Sequence, residues 1–246
     1  MSDTALVVMA RYPLPGTTKT RLARTLGDKE TRKLYQAFLI DLANHFASTD
    51  CDLYWAYTPA AIDYTAFIDT LVPHLAGASR SFPQQGTDFA ARLLHAFQWT
   101  RQQGYASTIL IGSDSPHVTR ELVTQAREAL QEANVVLGPA DDGGYYLIAM
   151  REPHDVFSDI PMSTSVVTAL TLARAKGLGL TTRLIEPLFD VDEYTDLLRL
   201  AELLRLNSAL APVTAALIAS QRSLYDHDSI HACDPAARHP AALDLP

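Results

Sequence analysis

The sequence predicts an α/β fold, with a mostly parallel, Rossmann-like sheet and helices on both faces. Three observations carry that expectation. Short apolar runs rich in β-branched residues alternate with segments of helical periodicity, the pattern of strands joined by crossover helices. The first run, Ala5-Leu6-Val7-Val8-Met9, shows no polar alternation, as in a strand buried on both sides. Three loops that follow strands, residues 11–21, 112–116 and 189–192, are rich in charge. In open α/β sheets, ligands lie beyond the carboxyl ends of the strands.

The elements follow in order. Arg11-Tyr12-Pro13-Leu14-Pro15-Gly16-Thr17-Thr18 contains two prolines and a glycine, which exclude regular structure there. Leu34, Phe38, Leu42 and Phe46 recur every four residues, with Tyr35 and Leu39 beside them, the stripe of an amphipathic helix. Residues 52–57 read as a strand. Phe89, Leu93 and Phe97, with Ala90 and Leu94, mark a helix that stops near Gly104. A strand over 106–111 leads into Gly112-Ser113-Asp114-Ser115-Pro116. Thr119 is expected to cap a helix carrying Leu122, Val123, Ala126, Ala129 and Leu130. Strands over 135–137 and 145–150 flank a turn, then come a helix over 165–176, a strand over 181–185 and a leucine-rich helix over 195–206. Residues 1–206 are thus expected to form one domain. Residues 207–246 would add a helix near 213–220 and a loose tail rich in Ala, Pro and His.

Composition bounds the function. At 48% hydrophobic and 20% charged over 246 residues, the chain is globular rather than disordered or coiled coil. Its formal net charge of −8 is the wrong sign for a nucleic-acid binder. Any bound anion must be held by a local cluster of cations. Cys51 and Cys233 make neither a disulfide scaffold nor a zinc motif. No apolar stretch approaches a bilayer's thickness and the start has no basic leader, so a cytoplasmic protein without a membrane span is expected.

Arg11, Lys19, Arg21 and Arg24 concentrate positive charge in one loop of this acidic chain. With Gly16, Thr17 and a helix starting near Lys19, they suggest a phosphate cradle; an exposed basic loop is the bland alternative. It is not a Walker A loop, because Thr18 precedes Lys19 where that motif requires Gly. No Gly-x-Ser-x-Gly elbow is present. Asp114, Asp190 and Asp192 would open onto one edge of the sheet. Such carboxylates repel unless protonated or shared by a hard divalent cation, Mg²⁺ or Mn²⁺; singly, each could merely cap a turn or helix. Asp141-Asp142-Gly143-Gly144-Tyr145-Tyr146 could hold sugar hydroxyls or be no more than a hairpin turn. Of its two tyrosines only one can face a cleft. His227, His231, Cys233 and His239 are poorly spaced for zinc, and His117, next to the Asp114 loop, is expected at the surface.

Five segments together carry a resemblance. Met9-Ala10-Arg11-Tyr12-Pro13-Leu14-Pro15-Gly16-Thr17-Thr18-Lys19-Thr20-Arg21-Leu22 resembles the N-terminal signature of a bacterial GT-A-type glycosyltransferase family. That family is also described as radical-SAM/selenodomain-associated transferases, related to molybdenum-cofactor and 2-phospho-lactate guanylyltransferases. Gly112-Ser113-Asp114-Ser115-Pro116, Leu137-Gly138-Pro139-Ala140-Asp141-Asp142-Gly143-Gly144-Tyr145-Tyr146-Leu147-Ile148, Ile160-Pro161-Met162-Ser163-Thr164 and Phe189-Asp190-Val191-Asp192 are similar to its later motifs, in order, over about residues 5 to 205. The resemblance implies a single-domain nucleotide-diphospho-sugar transferase fold that uses a nucleotide or nucleotide sugar, a small-molecule acceptor and Mg²⁺ or Mn²⁺. It favours glycosyl transfer, with nucleotidyl transfer or a non-catalytic nucleotide-binding module as rivals; homodimerisation is left open. Carried onto this chain, Arg11, Gly16, Thr17, Lys19 and Arg21 would bind phosphates, and Lys19, Arg21 and Asp114 would be catalytic. Asp114, Asp190 and Asp192 would hold the metal, and Asp142, Gly143, Gly144 and Tyr145 would shape the second-substrate site. Three departures stand out: Arg11 where Lys is usual, Met162 for Trp, and Glu193-Tyr194-Thr195 for Thr-Pro-Glu.

Overall fold

A computed structural model describes residues 2–162 and 164–221. The chain runs through β1 (Thr4–Arg11), α1 (Thr20–Leu26), α2 (Asp28–Phe46), β2 (Asp52–Thr58), α3 (Tyr64–Leu71), β3 (Arg80–Pro83), α4 (Phe89–Gln102), β4 (Ser107–Gly112) and α5 (Arg120–Ala129). It continues through β5 (Val135–Pro139), β6 (Tyr145–Met150), α6 (Val167–Gly177), β7 (Thr182–Leu184), α7 (Tyr194–Leu206) and α8 (Pro212–Ser220). The seven strands form one sheet in the order β3-β2-β1-β4-β6-β5-β7. Only β6 runs antiparallel, pairing with β4 on one side and β5 on the other.

β1 shows why the sheet is covered twice. Its residues alternate between two apolar layers: Leu6 and Val8 join Phe38, Leu42 and Leu200 on one face, while Ala5 and Val7 join Leu93, Phe97 and Phe157 on the other. A strand whose side chains all enter a core has no reason to alternate in polarity. Thr119 caps α5 as its position predicts, accepting from the backbone N–H of Leu122.

The structure adds α3 and β3, which periodicity did not disclose. β3 is a four-residue edge strand ending in Pro83, too short to establish a pattern and placed where a proline is tolerated. α8 is tied into the domain: the buried carboxylate of Asp41 on α2 accepts the N–H groups of Val213 (2.9 Å) and Thr214 (2.8 Å) at the first turn of α8. An acidic group facing the positive end of a helix satisfies donors that would otherwise be orphaned. His227, His231, Cys233 and His239 lie outside the described residues. No helix among the described residues is long and apolar enough to cross a membrane.

Candidate active site

Two loops far apart in sequence are stapled together at the carboxyl edge of the sheet. The backbone N–H of Val191 donates to the carbonyl of Asp114 (3.0 Å). The Ser115 hydroxyl donates to the Phe189 carbonyl (3.1 Å) and to the Asp190 carboxylate. The start of α7 fixes the second loop further, because Asp196 accepts the N–H groups of Asp192 (3.1 Å) and Glu193 (2.8 Å). Glu193 and Asp196 thereby form a capping box, so the departure at Glu193-Tyr194-Thr195 still delivers a well-anchored Asp192.

Lys19 occupies the meeting point. Its ammonium lies 2.7 Å from Asp114 Oδ1 and 2.9 Å from Asp192 Oδ1, and donates to the Val191 carbonyl (2.7 Å). The Lys19 side chain is only 4% exposed, whereas those of Asp114 and Asp192 are 43% and 46% exposed. Burial alone would pull the ammonium below its ordinary pKa, but the two carboxylates override it and hold the group above that value. Asp192 is held low despite its burial, because Lys19 faces it. Asp190 behaves oppositely. Burial, followed by the nearby charge of Asp114, pushes its carboxyl up to about 7. Lys19 also precedes the first residue of α1 in the left-handed backbone region, at φ 52°, an uncommon conformation for a residue with a side chain.

The cluster borders a cleft of about 530 Å³ lined by β1, the loop after it, β4 and the first turn of α4. Among the predicted phosphate ligands, Arg11, Thr17, Lys19 and Arg21 line this cleft. Gly16 and Arg24 do not, and Gly16 instead donates its N–H to Asp28 (3.3 Å). Arg21 also pairs with Glu193 at 3.4 Å. Tyr35 forms part of the floor: its hydroxyl accepts from the Arg11 N–H (3.1 Å) and bonds with Ser113 Oγ (2.8 Å). Burial pushes that phenol up to about 12, so it stays neutral.

Gln84, Phe89 and Arg92 line the same cleft and escaped the sequence reading. Phe89, one of the apolar residues whose spacing marks α4, is 49% exposed. The missing signal was β3: without that strand, the loop after it could not be recognised as one more loop at the ligand-bearing edge.

The Asp-Gly-Gly segment reaches this edge and is packed on α6. Asp142 accepts the Gly144 N–H (2.8 Å), closing its own turn between β5 and β6. Gly143 has φ +88°, and a Cβ there would lie 2.0 Å from the Ser165 carbonyl oxygen. Its own carbonyl accepts the Thr168 N–H (2.9 Å), docking the hairpin on the first turn of α6. Tyr145 packs against one core and Tyr146 is buried in the other. None of Asp142, Gly143, Gly144 and Tyr145 lines the cleft. Asp141 pairs with Arg199 of α7 at 2.6 Å, and Arg199 lies over the Phe189 ring at 4.0 Å. His117 is not at the surface: it is 2% exposed, with its ring 4.4 Å from that of Phe189.

Among the described residues, no three His, Cys, Asp or Glu side chains are arranged to hold a metal ion. Asp114 and Asp192 converge, while Asp190 stands behind them against Ser115. A pair of half-exposed carboxylates does suit Mg²⁺, which keeps several waters and is commonly held by one or two carboxylates plus substrate phosphates.

The model of the family described as uncharacterized protein conserved in bacteria (DUF2064) matches residues 42–164, half of the chain. The protein belongs to the DUF2064 family. A solved structure from Desulfovibrio desulfuricans G20, named "putative nucleotide-diphospho-sugar transferase", is 32% identical. The match covers 92% of this chain and 97% of that one, with a TM-score of 0.84. A phosphoenolpyruvate guanylyltransferase of Chloroflexus aggregans (strain MD-66 / DSM 9485) is 29% identical over 182 residues, 71% of this chain and 86% of that relative. A cytidylyltransferase from Leptospira borgpetersenii serovar Hardjo-bovis (strain JB197) is 11% identical, with a TM-score of 0.54 over 92% of this chain and 98% of the other, and shows the fold alone. The α/β architecture of this DUF2064 member is thus that of nucleotide-diphospho-sugar transferases and nucleotidyltransferases.

Proposed function

We propose that this DUF2064 protein is a nucleotide-dependent transferase, moving a nucleotidyl group from a nucleoside triphosphate to a small acceptor with the help of a divalent cation. The observation that carries this reading is the charge of the cleft. Arg11, Lys19, Arg21 and Arg92 line it against only Asp114 and Asp192, a cationic surplus in a chain of net charge −8. A nucleoside triphosphate with one chelated divalent ion carries about two negative charges, whereas a diphospho-sugar so chelated is about neutral. The triphosphate complements the surplus better. The guanylyltransferase relative supports nucleotidyl transfer; the name of the Desulfovibrio structure favours the second reading, glycosyl transfer.

In the transfer, an acceptor oxygen attacks the α-phosphorus, the bond to the bridging oxygen breaks, and pyrophosphate leaves with the electron pair. Arg11, Arg21 and Arg92 would bind the triphosphate and stabilise charge gathering on the departing pyrophosphate. Asp114 and Asp192 would hold the divalent ion, whose chemistry there would be Lewis-acid polarisation of phosphate oxygens. Lys19 neutralises part of the charge of these two carboxylates. Tyr35 and Ser113 hold the floor rigid beneath them.

The test incubates the full chain with Mn²⁺ and each common nucleoside triphosphate or nucleotide sugar, with phosphoenolpyruvate among the acceptors. Acceptor-dependent pyrophosphate release is the expected result. Release of nucleoside diphosphate from a nucleotide sugar would move the assignment to glycosyl transfer. Saturable nucleotide binding with neither product would leave a binding module and overturn the enzyme reading.

A further inference from the structure

Gln84 sits in the loop after β3, and its side chain is oriented by chemistry alone. The amide nitrogen donates to the carbonyls of Ala56 (2.8 Å) and Ala10 (3.2 Å), while the backbone N–H donates to the Tyr57 carbonyl (2.8 Å). A carbonyl oxygen only accepts, so the NH₂ end must face these two groups and cannot exchange places with the oxygen. Both amide hydrogens are consumed. Oε1 has no protein partner among the described residues, and Gln84 lines the cleft. The side chain therefore offers the cleft a fixed acceptor and no donor.

Its neighbours indicate what that acceptor meets. The half-exposed ring of Phe89 lines the same cleft, supplying it with an apolar surface. The loop between them is held in one shape: Gly86 has φ +143°, and a Cβ there would lie 2.7 Å from the Arg92 backbone nitrogen. Asp88 caps α4 by accepting the Ala91 N–H (2.8 Å). A rigid acceptor and an aromatic ring in a cleft that also holds Arg11, Lys19 and Arg21 suit a planar base whose phosphates engage those cations.

Resting on the nucleotide reading of the cleft, we propose that Gln84 is a specificity-determining residue that accepts a hydrogen bond from an exocyclic amino group of the base. Cytosine, adenine and guanine carry such a group. In uracil a keto oxygen takes the place of the cytosine amino group, setting lone pair against lone pair. In hypoxanthine the guanine amino group is missing. An acceptor left unpartnered in a closed site is costly, so the discrimination is expected on the order of ten- to a hundredfold.

The experiment measures affinity of the full chain for CTP against UTP, GTP against ITP and ATP against ITP by calorimetry, with Mg²⁺. In the pair that binds best, the amino-bearing member binds on the order of ten- to a hundredfold more tightly. Gln84→Met removes the acceptor and brings that ratio near unity, with affinity for inorganic pyrophosphate unchanged. Gln84→Lys retains a donor for the Ala10 and Ala56 carbonyls and serves if the methionine variant unfolds; it too abolishes the ratio. Equal binding within every pair, or a ratio that survives both substitutions, would overturn the role of Gln84 and leave the nucleotide reading standing. If none of these nucleotides binds while the chain remains folded, the nucleotide reading falls and this proposal falls with it.

Discussion

Two carboxylate-bearing loops at the same sheet edge have come to different ends. Around Lys19, acids from residues 114 and 192 share one buried ammonium and border a cleft. In the hairpin between β5 and β6, Asp142 closes its own turn and Gly143 lies against the backbone of residue 165. Both segments look chemical on paper. The difference is that the first is assembled from three distant segments, none of which needs its charge for local folding. The second is explained by hydrogen bonds within a few residues and by docking on α6.

The comparison breaks most decisively if Asp114 proves dispensable. Asp114→Asn is expected to lower turnover about a hundredfold or more, the usual scale for losing a group that organises transition-state charge. Its far-ultraviolet circular dichroism should remain native. Turnover near that of the wild type would place Asp114 with Asp142 among turn-forming residues.

Gly143→Ala tests the other side. Its Cβ must displace the Ser165 carbonyl at a backbone angle hostile to side chains, and a loss of about 3 kcal/mol in denaturant unfolding is expected. Nucleotide affinity of the folded protein should be unchanged. A stable variant with lost affinity would return the hairpin to the binding site.

His117 sharpens the boundary between core and site. Burial, with a smaller contribution from Arg199, pulls its pKa from 6.5 to about 4. Between those values His117 binds more protons in the unfolded chain, so its contribution to stability is lost as pH drops from about 6.5 towards 4, by about 2–3 kcal/mol, while the raised carboxyl of Asp190 works in the opposite sense over the same window. His117→Leu should therefore gain stability relative to the wild type as pH falls from about 6.5 to 4, read as the difference between the two melting curves. A difference that does not change with pH would show that the imidazole is not held neutral by burial.

Lys19→Met gives the smallest and least intuitive change. Lys19 and a divalent ion answer the same carboxylates, so removing the ammonium should tighten Mn²⁺ binding about tenfold, equivalent to about 1.4 kcal/mol. Electron paramagnetic resonance of free Mn²⁺ in the absence of nucleotide reads this directly. Weaker binding in the variant would mean that Lys19 supports the ion rather than competing with it.

Much of the fold could be read in advance because its signals are local. The stripe from Leu34 to Phe46 on α2, the Thr119 cap and the apolar run of β1 each follow from near neighbours in the chain. β3 was illegible for the complementary reason: four residues at an edge owe their pairing to β2, not to any period of their own. The candidate site was legible in part. Lys19, Arg21, Asp114 and Asp192 stood out by charge in loops that follow strands, whereas Gln84 and Phe89 are residue types found anywhere.

The amino-acid sequence by itself determined the layered α/β plan and the concentration of basic and acidic groups in particular loops, because hydrophobic period and turn chemistry act over short spans of chain. Tertiary structure decided the partners. It sent Lys19 between two acids rather than outward, tied Gly143 to α6, placed Phe89 in the cleft and oriented the amide of Gln84. Each outcome depends on carbonyls, carboxylates and rings brought together from distant segments, and hydrogen bonds and charge pairs act only over the few ångströms that folding creates.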